Sequence, residues 1–361
     1  MTQLQRFKSA LAERNFDGAI ISSEINQRYL CDFPFSDGYI LVTQGKSYLL
    51  TDFRYIEAAK NAVKDFEILC PASSMADTIA ELLKQENAKR ISVEESTISL
   101  QEFNRFSSKL KEIATLSEGA SDILLSQRAI KLDYEIERIK KAQSITDSAF
   151  SYIIKFISQN KNTLTERDIA LELDYFMQKN GAEAPAFETI AVSGDASSLP
   201  HGVPRNIKLK NGFLTMDFGA KYNGYCSDMT RTIVIGKADD EIKRVYNTVL
   251  TAQKAALDGI CGSMPCRSAD SLARDIIKNA GYGEAFGHSL GHGVGMFIHE
   301  SPNLSPRSAE NLLLQAGNVI TVEPGIYLEG KFGCRIEDMI LINSDGTTYN
   351  FTHSKKDLIE I

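Results

Sequence analysis

Two aspartates, Asp217 and Asp228, lie inside apolar, strand-like runs within residues 213–235. A lone carboxylate is costly to bury unless something neutralises it. Asn223-Gly224 between the runs predicts a hairpin, because a type I′ turn needs two residues that tolerate positive φ. Folding about this turn pairs Asp217 with Thr230, and the period-2 alternation puts both carboxylates on one face. A divalent cation would explain the pair; the alternative is a surface hairpin with both aspartates in water.

Histidine is scarce, with five in the chain, and four of them fall in the second half amid glycine and proline: His201, His288, His292 and His299. His288 and His292 belong to a glycine-rich stretch, residues 287–295. Glycines disfavour a regular helix and let the backbone approach a ligand closely. The stretch predicts one imidazole on a metal and others near a substrate, the alternative being a flexible turn.

Two glutamates lie in a second pair of apolar, strand-like runs. Glu323 follows the apolar residues 319–322 and precedes Pro-Gly, and Glu337 lies ahead of the apolar residues 339–342. A hairpin through residues 330–333 would put these glutamates opposite each other, with Arg335 on the same face as Glu337. A salt bridge between Arg335 and a glutamate is the alternative role, and it is compatible with metal binding.

Together these segments supply four carboxylates and one imidazole. That set suits a pair of divalent first-row ions better than a single magnesium, which would not need the histidine. The six cysteines are scattered without a CxxC pair, so a structural zinc site is not predicted.

The chain has 361 residues, 43% of them hydrophobic and 24% charged, which is typical of a globular protein of two domains. A net charge of −7 argues against nucleic acid or an anionic membrane as the main partner. No apolar run is long enough to cross a bilayer and no signal peptide is legible, so we expect a cytoplasmic protein.

Strands alternate with helices up to about residue 120, which predicts a small α/β domain without a histidine. Long helical patterns then begin, and we place the domain boundary between residues 121 and 122. The expected domains are therefore 1–121 and 122–361. Thr163 and Glu166 are predicted to form a capping box that starts the helix reaching Lys179.

These residues occur within DFG(x)8DMTRT, GHSLGHGVG(x)3HE, TVEPGIY and GCRIEDM, in that order. The set resembles the metallopeptidases of the pita-bread fold, in the branch of aminopeptidase P and prolidase. YLCDFPFSDGYILV and LLTDFRYIEAA near the N-terminus resemble a creatinase-type N-terminal domain. The resemblance implies an α+β protein, with a smaller creatinase-type α/β domain preceding a catalytic pita-bread domain.

The resemblance also implies roles for individual residues. Five would ligate two divalent ions, most often Mn²⁺ with Co²⁺ or Zn²⁺ as substitutes: Asp217, Asp228, His292, Glu323 and Glu337. Five would contact the substrate, move its protons or organise the site: His201, His288, His299, Glu323 and Arg335. Peptides with proline at the second position are the implied substrates, and a homodimer is the implied assembly.

Two activities stay open at this stage. An Xaa-Pro aminopeptidase is favoured by the short segment between His299 and Glu323, whereas an Xaa-Pro dipeptidase would need a cation for the free carboxylate, for which Arg307 is a candidate. We lean towards the aminopeptidase. A third hypothesis is a peptide-binding module without catalysis, but its signature would be lost ligands, and none is lost.

Overall fold

The structure, a computed structural model, describes residues 1–361 and divides into two compact units, Met1–Arg128 and Ala129–Ile361. The boundary predicted after residue 121 falls inside the helix Ala120–Ala129 and stays a prediction. None of the helices combines the length and the apolar character that a membrane span needs.

The first unit is an α/β fold, as the alternating pattern predicted. Its helices are α1 (Gln3–Glu13), α2 (Glu24–Cys31), α3 (Ile56–Ala62), α4 (Met75–Gln85), α5 (Leu100–Leu110) and α6 (Ala120–Ala129). Its strands are β1 (Gly18–Ile21), β2 (Tyr39–Thr43), β3 (Ser47–Leu50), β4 (Glu67–Leu69), β5 (Arg90–Val93) and β6 (Thr115–Ser117). They form one mixed sheet in the order β4-β3-β2-β1-β5-β6, with α4 and α5 packed on its buried apolar face.

The second unit combines long helices with antiparallel strands. Its helices are α7 (Asp133–Asn160), α8 (Glu166–Lys179), α9 (Asp240–Gly259) and α10 (Cys266–Ile277). Its first strands are β7 (Ala184–Pro185), β8 (Ile190–Ser193), β9 (Gly212–Phe218), β10 (Ala220–Tyr222), β11 (Tyr225–Cys226) and β12 (Met229–Ile235). The others are β13 (Gly291–Gly293), β14 (Glu300–Leu304), β15 (Val319–Val322), β16 (Gly325–Leu328), β17 (Phe332–Arg335), β18 (Asp338–Ile342) and β19 (Thr348–Asn350).

These strands form four sheets between two pairs of helices. The sheets have the orders β11-β10-β7, β12-β9-β8, β14-β13-β15-β18-β19 and β16-β17. Strand β9 shows how alternation builds the two cores: Leu214 and Met216 pack with α7 and α8, whereas Phe213 packs with α9 and α10 on the other side. Both faces of β9 are therefore covered, which explains why its sequence is almost entirely apolar.

The first hairpin has the predicted register, with Asp217 paired to Thr230. Its turn residues Asn223 and Gly224 have φ values of 46° and 85°, as a type I′ turn requires. The hairpin does not stay in one sheet, because β9 and β12 belong to one sheet and β10 and β11 to another. The change of sheet falls at Gly219 on one strand and Asp228 on the other.

The second hairpin has the same construction. Val322 pairs with Asp338 in one sheet and Gly325 pairs with Arg335 in the next, so the predicted register about Gly330 is confirmed. Glu323 and Glu337 lie opposite each other at the change of sheet, outside both ladders. In each hairpin, regular strand pairing is therefore interrupted at the position of the acidic residues.

The predicted start of α8 is wrong by two residues. The N-cap is Thr165, whose hydroxyl accepts a hydrogen bond from the amide of Asp168 in a capping box. Thr163 instead bonds the carbonyl oxygen of Asn160 in the preceding turn. Glu166 is the first helical residue, and its side chain is fully buried and used elsewhere.

Candidate metal centre

The two sheet changes gather carboxylates around one imidazole. Ligand atoms of Asp228, His292 and Glu337 all lie within 4.8 Å of one another. His292 Nε2 is 3.6 Å from Asp228 Oδ2 and 3.3 Å from Glu323 Oε1. These four residues, predicted from separate motifs, therefore line one small volume with three oxygen donors and one nitrogen donor.

Within the glycine-rich stretch, the three residues Gly291–Gly293 form strand β13. A Cβ atom at Gly291 would lie 2.0 Å from the carbonyl oxygen of Thr321, and one at Gly293 would lie 2.1 Å from that of Ser301. Only glycine permits these approaches. His292 Nδ1 lies 3.1 Å from the carbonyl oxygen of Gly293, which favours a proton on Nδ1 and directs the lone pair of Nε2 at the carboxylates.

Two threonines that we did not single out from the sequence orient the glutamates. Thr230 Oγ1 donates to Glu337 Oε2 at 2.7 Å and accepts a bond from Arg335 Nε. Thr321 Oγ1 donates to Glu323 Oε1 at 3.2 Å. Thr321 lies two residues before Glu323, so period-2 alternation was a signal that could have found it. Thr230 meets Glu337 from a distant segment, and no local pattern signals that contact.

Asp217 lies beside this group and is held by Arg335, whose Nη2 donates to Asp217 Oδ2 at 2.6 Å. The predicted salt bridge of Arg335 is thus formed with the aspartate and not with a glutamate. The second carboxylate oxygen, Asp217 Oδ1, is buried without a hydrogen-bond partner. An orphaned carboxylate oxygen at this position fits a cation as its missing partner.

A chain of hydrogen bonds leads from Arg335 to His288. Arg335 Nη1 donates to the Tyr327 hydroxyl at 2.6 Å, and that hydroxyl lies 3.0 Å from His288 Nε2. His288 Nδ1 lies 2.8 Å from the carbonyl oxygen of Ser289, so both ring nitrogens of His288 are engaged. His288 therefore braces Arg335 through Tyr327 and does not join the carboxylate group.

The other two predicted histidines lie at the rim. The ring centroid of His299 is 4.4 Å from that of His292, and the two rings meet edge to face. Burial, followed by the nearby His292, lowers the pKa of His299. His201 is exposed, next to Pro200, whose carbonyl oxygen accepts a bond from Arg335. Arg307 is also exposed, in the segment that follows β14.

The electrostatics of the group shows a shortage of positive charge. Burial raises the pKa of Asp217, Asp228 and Glu337, and neighbouring carboxylates raise each of them further. Burial opposes ionisation of Glu323 too, but the hydrogen bond and charge of His292 lower its pKa to about 2. Arg335, paired with Asp217, and the imidazole of His292 are the only basic partners that ion pairs give to these four carboxylates. The donor set and its excess negative charge fit divalent cations.

Two family models match this chain along most of its length. Residues 3–130 match the Creatinase/Prolidase N-terminal domain, and residues 137–344 match Metallopeptidase family M24. The chain belongs to metallopeptidase family M24. It is therefore a hydrolase of a family that uses divalent metal ions, built from a creatinase-type N-terminal domain and a pita-bread domain. The hypothesis of a peptide-binding module without catalysis is wrong.

Relatives of this M24 metallopeptidase cover nearly its whole length. The Xaa-Pro dipeptidase of Pyrococcus furiosus is 37% identical over 361 residues, which is 99% of each chain. An Xaa-Pro dipeptidase structure from Bacillus anthracis is 39% identical with a TM-score of 0.93 and covers 99% of both chains. The X-Pro aminopeptidase structure of Thermotoga maritima is 37% identical with a TM-score of 0.89, covering 97% of this chain and 99% of the other.

Proposed function

We propose that this metallopeptidase uses two divalent ions to hydrolyse the peptide bond between an N-terminal residue and proline. The observation that carries the proposal is the cluster of three carboxylates, those of Asp228, Glu323 and Glu337, around the single imidazole of His292. When bound, the two ions would lower the pKa of the attacking water and stabilise the negative charge that develops on the scissile carbonyl.

The donors divide naturally between two ions. Asp217 would hold one ion through Oδ1, because its Oδ2 is taken by Arg335. His292 and Glu323 would hold the other ion. Asp228 and Glu337 would be shared by both ions, as the resemblance to the pita-bread metallopeptidases implies. Mn²⁺ is our proposed ion, with Co²⁺ or Zn²⁺ as substitutes.

The side chains of the centre have further roles in the proposed reaction. Glu323, whose Oε1 lies 3.3 Å from His292 Nε2, would accept a proton from the attacking water and deliver it to the proline nitrogen. His299 and His201, at the rim, would contact the peptide and its developing charge. Tyr327 and His288 would keep Arg335, and through it Asp217, in one orientation.

We propose free Xaa-Pro dipeptides as the preferred substrates. The names of the relatives from Pyrococcus furiosus and Bacillus anthracis support this choice over our initial lean towards an aminopeptidase. Arg307 is exposed and would be the cation that meets the free carboxylate. Cleavage of longer peptides is the second candidate, favoured by the Thermotoga maritima aminopeptidase. A cytoplasmic homodimer stays a prediction.

A small peptide panel tests both levels of the proposal. The metal-free chain is reloaded with Mn²⁺ and given Ala-Pro, Ala-Pro-Ala and Ala-Ala at equal concentrations. We expect Ala-Pro to be cleaved fastest and Ala-Ala to be cleaved at least tenfold more slowly. Faster cleavage of Ala-Pro-Ala would support the aminopeptidase instead. Equal rates on Ala-Pro and Ala-Ala would overturn the proline specificity.

A further inference from the structure

A second charged cluster is buried behind the candidate centre. Arg231 has 1% of its side chain exposed and its partner Asp338 has none exposed. Asp338 also accepts bonds from Lys356 Nζ at 2.6 Å and from Asn350 Nδ2 at 2.8 Å. Arg231 belongs to the DMTRT motif, residues 228–232, but the sequence alone predicts no role for it.

The guanidinium of Arg231 is directed mainly at backbone oxygens. Nη1 donates to the carbonyl oxygen of Glu337 at 2.5 Å and to that of Thr230 at 3.0 Å. Nη2 donates to Asp338 Oδ1 at 2.8 Å. The remaining contacts go to the C-terminal segment, where Nη2 meets the carbonyl oxygen of Ser354 and Nε that of Lys355.

Glu337 has no strand partner to hold its backbone. It lies between β17 and β18 and takes part in neither ladder. Its amide donates to the carbonyl oxygen of Thr230 at 3.1 Å, its carboxylate accepts from Thr230 Oγ1, and its carbonyl oxygen accepts from Arg231. Residues 230 and 231 thus hold Glu337 from opposite faces of β12.

We propose that Arg231 is a positioning residue for Glu337. By holding the backbone carbonyl of Glu337, it fixes the direction in which the Glu337 carboxylate points towards the proposed metal ions. This inference rests on the proposed function. An ion pair with Asp338 alone would need only one end of the guanidinium. The planar, five-donor guanidinium meets all of these acceptors together, whereas a lysine ammonium is a point charge and cannot. Arg231 also links the C-terminal segment to a metal ligand.

Measuring metal affinity distinguishes a role of Arg231 in positioning Glu337 from a role in overall stability. Metal-free full-length protein is titrated with Mn²⁺ by calorimetry as wild type, Arg231→Lys and Arg231→Met. We expect both substitutions to weaken Mn²⁺ binding about tenfold or more, as changes behind a ligand commonly do. At saturating Mn²⁺, kcat should fall while KM for Ala-Pro changes little.

Arg128→Met is the matched control, since Arg128 is a buried arginine of the first unit that donates to Asn26. It should keep wild-type Mn²⁺ affinity whatever stability it loses. Wild-type affinity in Arg231→Lys would overturn the proposal, and so would failure of that variant to fold, because Arg231 would then serve overall stability. If the wild type binds Mn²⁺ but cleaves no Xaa-Pro peptide, the proposed function fails while the affinity comparison still stands.

Discussion

Glu337 and Asp338 are neighbours in the chain, both buried, yet their surroundings are opposite. Burial would raise the pKa of Asp338, but the charges of Arg231 and Lys356 lower it. Burial raises the pKa of Glu337, and the neighbouring carboxylates of Glu323 and Asp217 raise it further. One carboxylate is neutralised by the chain itself, and the other is surrounded by more negative charge.

The difference separates a buried carboxylate that the chain neutralises from one that it leaves without a matching positive charge. A buried carboxylate next to Arg and Lys is satisfied without a ligand and contributes to one folded structure. A buried carboxylate among other carboxylates is satisfied only when a cation arrives. Asp338 is therefore expected to matter for stability and Glu337 for metal and catalysis, although they are adjacent. The following substitutions test that division.

Glu337→Gln should have the largest effect on activity. Removing a proposed ligand of both ions should lower kcat/KM for Ala-Pro about a thousandfold or more, roughly 4 kcal/mol. The metal-free variant should be as stable as wild type, because the substitution relieves repulsion with Glu323. Initial rates in Mn²⁺ and urea unfolding of the metal-free proteins measure both effects. Activity within tenfold of wild type would remove Glu337 from the proposed centre.

Asp338→Asn should instead lower stability. It leaves Arg231 and Lys356 as buried or half-buried cations without their carboxylate, a loss of about 3 kcal/mol in the free energy of unfolding. Urea unfolding of metal-free Asp338→Asn and metal-free Glu337→Gln measures the free energy of unfolding of both variants. The division between the neighbours would break if the two metal-free variants lost equal stability.

Metal addition should stabilise only chains with an intact centre. A ligand at a hundred times its dissociation constant stabilises the folded state by about 2.7 kcal/mol. We expect Mn²⁺ to raise the melting temperature of the wild type and of Asp338→Asn, but much less that of Asp228→Asn or Glu337→Gln. Differential scanning fluorimetry with a chelator blank measures the shifts. Equal shifts in all four proteins would place the ion elsewhere.

Local rules predicted the backbone register of both acidic hairpins. Turn chemistry and period-2 alternation predicted that Asp217 pairs with Thr230 and that Glu323 lies opposite Glu337. Those rules say nothing about contacts between distant segments. Arg231 owes its environment to residues more than a hundred positions away, so its environment could not be read from its motif.

The prediction of where α8 begins was wrong for a different reason. Two capping patterns overlap there, Thr163 with Glu166 and Thr165 with Asp168, and both satisfy the same local rule. The choice depends on tertiary structure, because Glu166 is drawn away to Ser193 and Arg205. The glutamate that the sequence predicted as part of a capping box is thus a buried carboxylate with partners of its own.

Glu166 resembles Asp338, because in both cases a basic side chain of the protein neutralises a buried carboxylate. Its carboxylate accepts bonds from the amide and hydroxyl of Ser193 and from the amide and guanidinium of Arg205. Burial alone would raise the pKa of Glu166, but the hydrogen bonds from Arg205 and Ser193 outweigh burial and lower the pKa from its ordinary value. A lowered folded pKa contributes stability above the unfolded pKa, and that stability is lost as pH falls through the folded pKa.

We therefore expect the wild type to lose more stability than Glu166→Gln when the pH falls from about 6 to about 3. Urea midpoints of the metal-free proteins at several pH values measure the difference, and protonation of the metal centre cancels because both proteins share it. Glu241→Gln, which breaks only an exposed pair with Lys331, serves as the control. This is the smallest of the effects, since the glutamine keeps part of the hydrogen bonding. Parallel pH profiles for wild type and Glu166→Gln would show that the Arg205 pair does not hold Glu166 ionised, and would leave Asp338 as the better example of a carboxylate neutralised by the chain.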